Sequence, residues 1–471
     1  MDGLECSEIG LHYVMDKFLR VDAEYYQKNN LLLESTLKSV EGKTISAHAG
    51  MTDCSAFYPA ITRYYSNDRN DIPFLRVNEI IDGLVVISDK TVFLPKKILE
   101  DNHKTIALAY PGDIIIAKGG NTLAKVGLIT DEYSVYATCR DVIILRTGNM
   151  TDLNKFYLWA YLHGTFGQKL MWRSASQTGQ PHLTLRAIDG IHVPEYSTTL
   201  QEAIERLYNQ SVCLKQKSQK EYNDANEVLK KVLSMPKRDA QAISVKKLSD
   251  SFKKAGRLDA EYYQPKYEQY VNSLNTSDTV FSLCKVHDEN FEPMERESYP
   301  YIELANVGAE GEIVNVEIVP GNELPTRARR KVKAGQVIVS SIEGSLQSCA
   351  LVQPEYDGAL CSTGFYVLSS DSINSETLLV LFKSEPIQAL MKQRCSGTIL
   401  MGITKDEFLS MPLPRIADET QEQIASIVRQ AFSLRQQSEQ LLDYAKRAVE
   451  LAIEQGEDAA MAWLKEKGGK G

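Results

Sequence analysis

Arg20-Val21-Asp22-Ala23-Glu24-Tyr25-Tyr26-Gln27 returns as Arg257-Leu258-Asp259-Ala260-Glu261-Tyr262-Tyr263-Gln264, with seven of eight residues identical. A match of that quality is not chance, and shorter echoes follow it in the same order. Pro73-Phe74-Leu75 corresponds to Pro300-Tyr301-Ile302, Gly112-Asp113-Ile114-Ile115-Ile116 to Gly335-Gln336-Val337-Ile338-Val339, and Gln201-Glu202 to Gln421-Glu422. The period exceeds two hundred residues, far beyond the ~20–50 of solenoid repeats. Each copy is therefore a domain-sized unit with its own core, and two similar halves imply two similar sites.

Composition narrows the class. With 471 residues and 43% hydrophobic content the chain can bury substantial cores. No apolar run approaches the ~20 residues of a membrane span. Met1-Asp2-Gly3-Leu4-Glu5 lacks the basic-then-apolar pattern of a secretion signal, so a cytoplasmic location is expected. The eight cysteines are scattered singly, without CxxC or paired Cys/His spacing, which indicates buried reduced thiols rather than a zinc site or disulfide framework. The formal charge of −9 argues against a protein coated in nucleic acid. Basic clusters qualify that reading: Arg327, Arg329, Arg330, Lys331 and Lys333 stand together without an acid, and Lys246, Lys247, Lys253, Lys254 and Arg257 precede the second repeat.

Within each copy the pattern predicts one order of elements. Helical spacing of aromatic and aliphatic residues predicts helices from Asp22 to Leu37 and from Asp259 to Leu274. Short β-rich runs between turn residues follow: Phe74 to Val77, Leu84 to Ile87, Ile114 to Ala117, Lys125 to Ile129 and Val142 to Leu145 in the first copy. The second gives Tyr301 to Leu304, Ile313 to Ile318, Val337 to Ser340, Cys349 to Val352 and Phe365 to Leu368. A helix then spans Leu153 to Leu170 or Ser375 to Met391, followed by a polar loop and a short strand ending at Pro194 or Pro414. The expected class is α+β, built twice.

Each globule runs into a long helix. From Leu200 to Leu233, a heptad frame reads Ile204, Leu207, Ser211, Leu214, Ser218, Ala225, Val228 and Val232, and the second copy reads Ile424, Ile427, Ala431, Leu434, Ser438, Ala445, Ala448 and Ala452. Glu221, matched by Leu441, is the exception. A narrow stripe of this period predicts a coiled-coil seam, whose small residues let two backbones approach closely. Pro236 and Gly456 mark the ends. The expected division is 1–197 as a first globular domain, 198–236 as a central helix, 237–417 as a second domain, and 418–471 as a C-terminal helix and tail. An antiparallel pairing would make an internal pseudo-twofold repeat. A helix of that length spans roughly 50 Å, and one turn of duplex DNA is ~34 Å, so a ruler between two half-sites is one reading. A coiled coil that only dimerises or scaffolds is the other.

Arg257 through Tyr267, the Pro-Tyr-Ile run at 300–302, the Gly-Asp-Ile-Ile-Ile run at 112–116 and the Ser-Met-Pro-Leu-Pro to Gln-Glu-Gln junction from 410 to 423 resemble specificity subunits of type I restriction-modification systems. The resemblance covers essentially the whole chain, in the order recognition domain, helix, recognition domain, helix. It implies a subunit with no catalytic centre. Each domain would read half of a split DNA site in phage defence, while the helices hold two adenine methyltransferase subunits and set the spacer. Restriction-translocase subunits join the larger complex in many such systems. S-adenosylmethionine would bind the partners and no cofactor or metal this chain. Net acidity and a weaker match from Cys54 to Asn67 depart from the pattern.

Candidate double-stranded DNA contacts follow from side-chain chemistry. Arg173, Ser176, Gln177, Thr178, Gln180 and His182 lie in one polar loop, and Arg394, Ser396, Thr398 and Lys405 in its counterpart. Arg pairs with guanine, Gln with adenine, and hydroxyls reach base edges or phosphates. Lys118, Asn121 and Lys125 surround the Gly119-Gly120 pair, where backbone can approach a phosphate; Ser345 and Gln347 stand in the divergent second copy. Arg327, Arg329, Arg330 and Lys331 suit phosphates, and Arg63 with Tyr64 suits stacking. Against each stands an ordinary solvated loop or a core tyrosine. Lys215, Lys217, Lys220, Arg429, Arg435 and Lys446 are candidate partner surfaces on the helices.

Other chemistries lack their residues. Asp113 and Lys118 look like half a nuclease cluster, but a metal site needs a further carboxylate, and the other copy has Gln336 and Ser341 there. No Asn-Pro-Pro-aromatic element, phosphate-binding GxxxxGK[ST] loop or HExxH is present. A scaffold in a methylation-linked antiphage complex, whose heads do not read DNA, is the alternative function.

Overall fold

The computed structural model describes residues 7–16, 20–55, 59–88, 90–176, 180–233, 245–249, 251–252, 256–397 and 401–468. Its contacts separate into two units, Met1–Cys213 with Gln437–Gly471, and Leu214–Gln436. The cut falls inside both long helices, so the sequence-based boundaries at 197 and 417 describe a different partition.

In unit 1 the repeated opening is a clamp. Arg20 pairs with Asp22 at 2.6 Å and donates to the carbonyls of Ser174 and Ala175 at 3.0 and 2.6 Å. Tyr26 donates its hydroxyl to the Arg20 carbonyl at 2.7 Å, and the guanidinium lies 4.4 Å from the Tyr25 ring centre. These ties hold Ala23–Tyr26 in a 3-10 turn, and Gln27, at ψ 146, is extended. The helix expected from Asp22 therefore starts afresh as Lys28–Lys38.

Two sheets follow. One orders Gly50–Asp53, Val142–Arg146, Ile114–Ala117 and Val126–Leu128, continued by Leu84–Val85 and Ile80–Ile81; the other orders Phe93–Leu94, Ile72–Leu75, Tyr136–Thr138 and Leu108–Ala109. Ile114–Ala117 is apolar throughout because both its faces are covered. Ile114 and Ile116 pack with Trp159 and Leu162 on the helical side, while Ile115 and Ala117 pack with Leu75 and Tyr136 of the second sheet. The helix expected over Leu153–Leu170 is two, Lys155–His163 and Thr165–Ser174, divided at Gly164, where the backbone is extended at ψ 172. Asn154 starts the first by accepting from the Phe156 amide at 2.8 Å.

Unit 2 repeats this plan. Lys285–Val286, Phe365–Ser369, Val337–Ser340 and Cys349–Leu351 form one sheet, and Glu317–Pro320, Ser298–Ile302, Leu360–Ser362 and Ala328–Lys331 the other. Its four-stranded sheets match in order and strand sense the unit 1 sheets without Leu84–Val85 and Ile80–Ile81, which have no counterpart among the described residues, and include the parallel pair, Ile72–Leu75 with Tyr136–Thr138 in one and Ser298–Ile302 with Leu360–Ser362 in the other. Val337 and Val339 face the helices, and Ile338 faces the second sheet. The clamp recurs too: Arg257 pairs with Asp259 at 2.7 Å, donates to the Cys395 carbonyl at 3.1 Å and accepts at its own carbonyl from Tyr263 at 3.0 Å. Ser375–Lys383 and Glu385–Arg394 replace the single helix expected there, with Asn374 as the cap. Two expectations change. The strand read at Ile313–Ile318 is Glu317–Pro320, Ile313 making only an isolated bridge with Val307. The Pro-terminated strand is His192–Pro194 in unit 1, paired with Gly42–Thr44, but a single bridge, Thr279 with Pro412, in unit 2.

The long helices are Thr198–Leu233, 36 residues, and Asp418–Gln455, 38 residues. In unit 1 their Ser211 and Ser438 hydroxyls meet at 2.8 Å, both nearly inaccessible, and Ser438 also donates to the Ser211 carbonyl at 2.9 Å. The Ser197 amide donates to Glu457, just past the end of the second long helix, at 3.1 Å, so the partners run in opposite directions. In unit 2, Gln430 donates to Glu221 at 3.2 Å. Beyond Ser218 the buried positions are Tyr222, Ala225, Leu229 and Leu233, of which Ala225 alone belongs to the expected frame. Glu221 needs no place in a seam, because Tyr222 takes it. A nearly straight helix drifts ~20° per heptad against a strict seven-residue stripe, which moves the buried register on by one. Gly456, at φ +92, separates the second long helix from Glu457–Gly468.

Candidate nucleic-acid interface

The site begins at a turn. Gly112, at φ +87, takes the left-handed conformation that glycine accommodates, and Asp113 braces the turn by accepting from the Tyr110 amide at 3.0 Å and from Arg146 at 2.7 Å. Gln336 does the same in unit 2, accepting from the Lys333 amide at 2.8 Å. Asp113 is thus a turn keeper, and its resemblance to half a nuclease cluster has a structural cause.

From that turn, Ile114–Ala117 delivers the chain to Lys118-Gly119-Gly120-Asn121. The Lys118 amide donates to the Asp141 carbonyl at 2.9 Å, and its own carbonyl accepts from the Leu183 amide at 2.7 Å. Bridges of Gly119 with His182 and of Ser176 with His182 bring these two residues of the polar stretch against this segment. A side chain at Gly119 would meet the Pro181 carbonyl at 3.1 Å, so the close approach favours glycine. Asn121, Lys125, Ser176, Gln180 and His182 are exposed around the junction. Gln177 and Thr178 lie outside the described residues, as does Thr398 in unit 2.

Unit 2 assembles the equivalent loops with equivalent bonds. Ile342 and Ser396 both bridge Gly402, the Ile403 amide donates to the Ser341 carbonyl at 2.9 Å, and the Ser341 amide donates to the Gly364 carbonyl at 2.9 Å. The Thr363 amide then donates to the Arg327 carbonyl at 2.8 Å, which brings Arg327, with 62% of its side chain exposed, onto the same edge. Ser396 and Gln347 are exposed. Ser345 is half-buried, its hydroxyl 3.0 Å from that of Ser340. Backbone bonding therefore gives both units one frame, while Pro181 and exposed His182 in one correspond to Met401 and Gly402 in the other.

Several expected contacts face elsewhere. Arg173 is buried, with 3% of its side chain exposed; it donates to the Tyr25 carbonyl at 3.0 Å and pairs with Glu34 at 2.7 Å. Gln393, not Arg394, is its counterpart, since it donates to the Tyr262 carbonyl at 2.8 Å. Arg394 is itself enclosed, donating to the Leu390 carbonyl at 3.2 Å, and burial pulls its guanidinium below the usual pKa. Lys118 is turned inward onto Asp53 at 2.6 Å. Packing against neighbouring helix and strand, not solvent, sets these three side chains. Arg329 pairs with Glu292, which partly neutralises the basic run, and Arg330 donates to Asn290, whereas Lys331 sits 4.8 Å from the Phe291 ring centre and remains exposed. Lys405 pairs with Asp288, whose carboxyl it holds below the usual range. Arg63 is exposed, 4.7 Å from the ring centre of half-buried Tyr64, which packs on the Ile61 and Phe74 cluster. On the helices, Arg435 is drawn inward onto Glu312 at 2.7 Å, Arg429 pairs with Glu376 at 2.6 Å and Lys446 with Asp443 at 2.7 Å.

One cation escaped the sequence reading. Arg140 has 72% of its side chain exposed, next to Asp141, whose carbonyl binds the Lys118 amide. Its signal was a lone arginine in the turn between Tyr136–Thr138 and Val142–Arg146, the place Thr363 occupies in unit 2.

The resemblance is to type I restriction-modification specificity subunits. The S subunit of such a system from M. genitalium shares 14% identity over 90% of this chain and 95% of its own, at a TM-score of 0.31. The HsdS subunit from Thermoanaerobacter tengcongensis shares 12%, covering 86% and 96%, at 0.29. A chain from a structure describing complex assembly and conformational transition of the type I R-M system shares 13%, covering 87% and 98%, at 0.25. TM-scores this low give the likeness no weight beside the chain's own duplication. No family model and no curated protein matches the chain. Among the described residues, no helix is long and apolar enough to cross a membrane.

Proposed function

We propose that this chain is the DNA sequence-specificity subunit of a type I restriction-modification system, acting in the cytoplasm in phage defence. Each unit reads one half of a split double-stranded site through its paired loops. The long helices, as an antiparallel coiled coil, set the spacer and seat two adenine methyltransferase subunits, which bring S-adenosylmethionine. Restriction-translocase subunits complete the assembly where the system cleaves. This chain supplies register and base readout and no chemistry of its own.

The observation that carries this reading is one backbone frame with two different sets of exposed side chains. Paired loops closed on Gly119 and His182, and on Ile342 and Gly402, are alike in bonding and unlike in chemistry. Two readers of different sequences require that combination, because base edges are distinguished by side chains while register is fixed by backbone and phosphate contacts. Exposed Arg140, Lys125 and Arg327 supply positive charge beside the loops of an otherwise acidic protein.

The test is the methylome of a host expressing this chain with its neighbouring methyltransferase. One split motif is expected, and exchange of residues 1–197 for another recognition domain should change one half of it. Methylation without a motif, or a change in both halves, would overturn the reading in favour of a scaffold.

A further inference from the structure

His48 ends the short helix Ile45–His48, and its side chain is fully enclosed, at 0% exposure. Neither ring nitrogen makes a well-aligned hydrogen bond; each meets only a carboxylate oxygen at long range, which satisfies a buried polar group poorly. Nδ1 lies 3.3 Å from Asp152 Oδ2, and Nε2 3.4 Å from Glu195 Oε1. Those same two oxygens hold the Lys43 ammonium, each at 3.1 Å. Among the described residues, one ligand atom from each of His48, Asp152 and Glu195 falls within 4.8 Å of the others.

The second copy shows which part of this cluster the fold needs. Ile45 donates its amide to the Ile191 carbonyl as Val280 does to Met411, so His48 corresponds to Leu283, Lys43 to Asp278 and Glu195 to Arg415. Asp278 and Arg415 form an ion pair at 2.7 Å, the Lys43–Glu195 pair with its charges exchanged. Asp152 corresponds to Ser372, two residues before the capping asparagine in each copy. The frame is satisfied by an ion pair over a leucine. His48 and Asp152 are additions to it, made in one copy only.

We propose that His48, Asp152 and Glu195 bind one Zn²⁺ ion, with Lys43 as the occupant that yields to it. One imidazole nitrogen and two carboxylates are a ligand set suited to zinc. The ammonium already lies between the two carboxylates, and half of the Lys43 side chain is exposed, at 51%, which leaves it free to swing out. The ring nitrogen that does not bind the ion is left to donate to a carboxylate oxygen the ion does not take, which fixes the ring. The ion would tie the Gly42–Thr44 and His192–Pro194 ribbon to the start of Lys155–His163. No sequence spacing announces this site, because its three ligands come from widely separated segments.

The full-length chain, stripped with EDTA, is titrated with ZnCl₂ by calorimetry, with Co²⁺ absorption as a spectroscopic check. One ion per chain is expected. His48→Leu, which borrows the second copy's residue, should weaken binding by at least about a hundredfold with an unchanged metal-free circular dichroism spectrum. Lys43→Met should tighten it by roughly tenfold, since the competing ammonium is gone. If His48→Leu fails to fold, Asp152→Asn, at a partly exposed carboxylate, must weaken binding instead. Zinc bound equally well by the folded variant, no zinc bound by the unaltered chain, or displacement by equimolar Mg²⁺ would each overturn the site. DNA methylation is not read, so failure here is separate from failure of the proposed function.

Discussion

Arg173 and Gln393 perform the same backbone task with different charge, each donating to the carbonyl of the first tyrosine in its clamp. Only Arg173 brings a buried charge, and Glu34, with 12% of its side chain exposed, answers it. Removing one member of a buried pair strands the other, at a cost of about 3–5 kcal/mol. Glu34→Ala should therefore lower stability by about 3 kcal/mol. Arg173→Gln, which keeps the bond to Tyr25 and leaves Glu34 paired with Lys38 at 2.9 Å, should cost roughly 1 kcal/mol. Urea denaturation of the full chain checks both, and equal losses would show that the stranded charge is not the cause. The sequence could not reveal this role. Arginine in a polar stretch before a loop has the composition of a base reader, and its actual partner sits in a distant helix. The glycines were more legible: Gly119 and Gly120 marked a close backbone approach, although what approaches Gly119 is the Pro181 carbonyl of the chain itself.

At the scale of elements, strand cores were the easiest to read, because a strand buried on both faces is continuously apolar. Ile114–Ala117 and Val337–Ser340 have the expected limits. Helix breaks were harder: Gly164 and Ser384 divide segments whose apolar spacing carries on across the break. The long helix shows how a correct period can carry a wrong register. Tyr222 and Leu233 are buried, at 4% and 3%, while Val232 is 45% exposed. Tyr222→Ala and Leu233→Ala should each cost about 2–5 kcal/mol, as deletions of buried side chains do. Glu221→Ala and Val232→Ala should stay within roughly 0.5 kcal/mol. Thermal denaturation of the four variants decides between the frames, and the reverse ranking would restore the strict heptad. The second long helix keeps the expected frame, with Ala445, Ala448 and Ala452 buried at 0%, 0% and 2%, and adds Leu442 and Val449 beside it at 5% and 1%, so the shift belongs to the first helix and not to the repeat.

For the whole molecule, duplication was legible from eight residues, and a common order of four strands in each sheet then proved shared by the two units. What stayed illegible is which exposed side chains do the reading, since the repeat preserves frame and discards loop chemistry. Under the proposed function, spacing belongs to the helices alone, and that separates it from readout. Deleting one heptad from each long helix, beyond the clamps and loops, removes about 10 Å of rise. At ~3.4 Å per base pair this can shorten the spacer by no more than about three base pairs. Small residues where the helices meet, Ser211 against Ser438, are compatible with a seven-residue deletion because it nearly preserves the facing stripe. The methylome of a host carrying the shortened chain should keep both half-sites and lose spacer between them. A four-residue deletion, which rotates the stripe by roughly 40° out of phase, should impair assembly more than the seven. Altered half-sites with an unaltered spacer would place recognition in the helices and spacing in the loops, the opposite of what one frame with two readers requires.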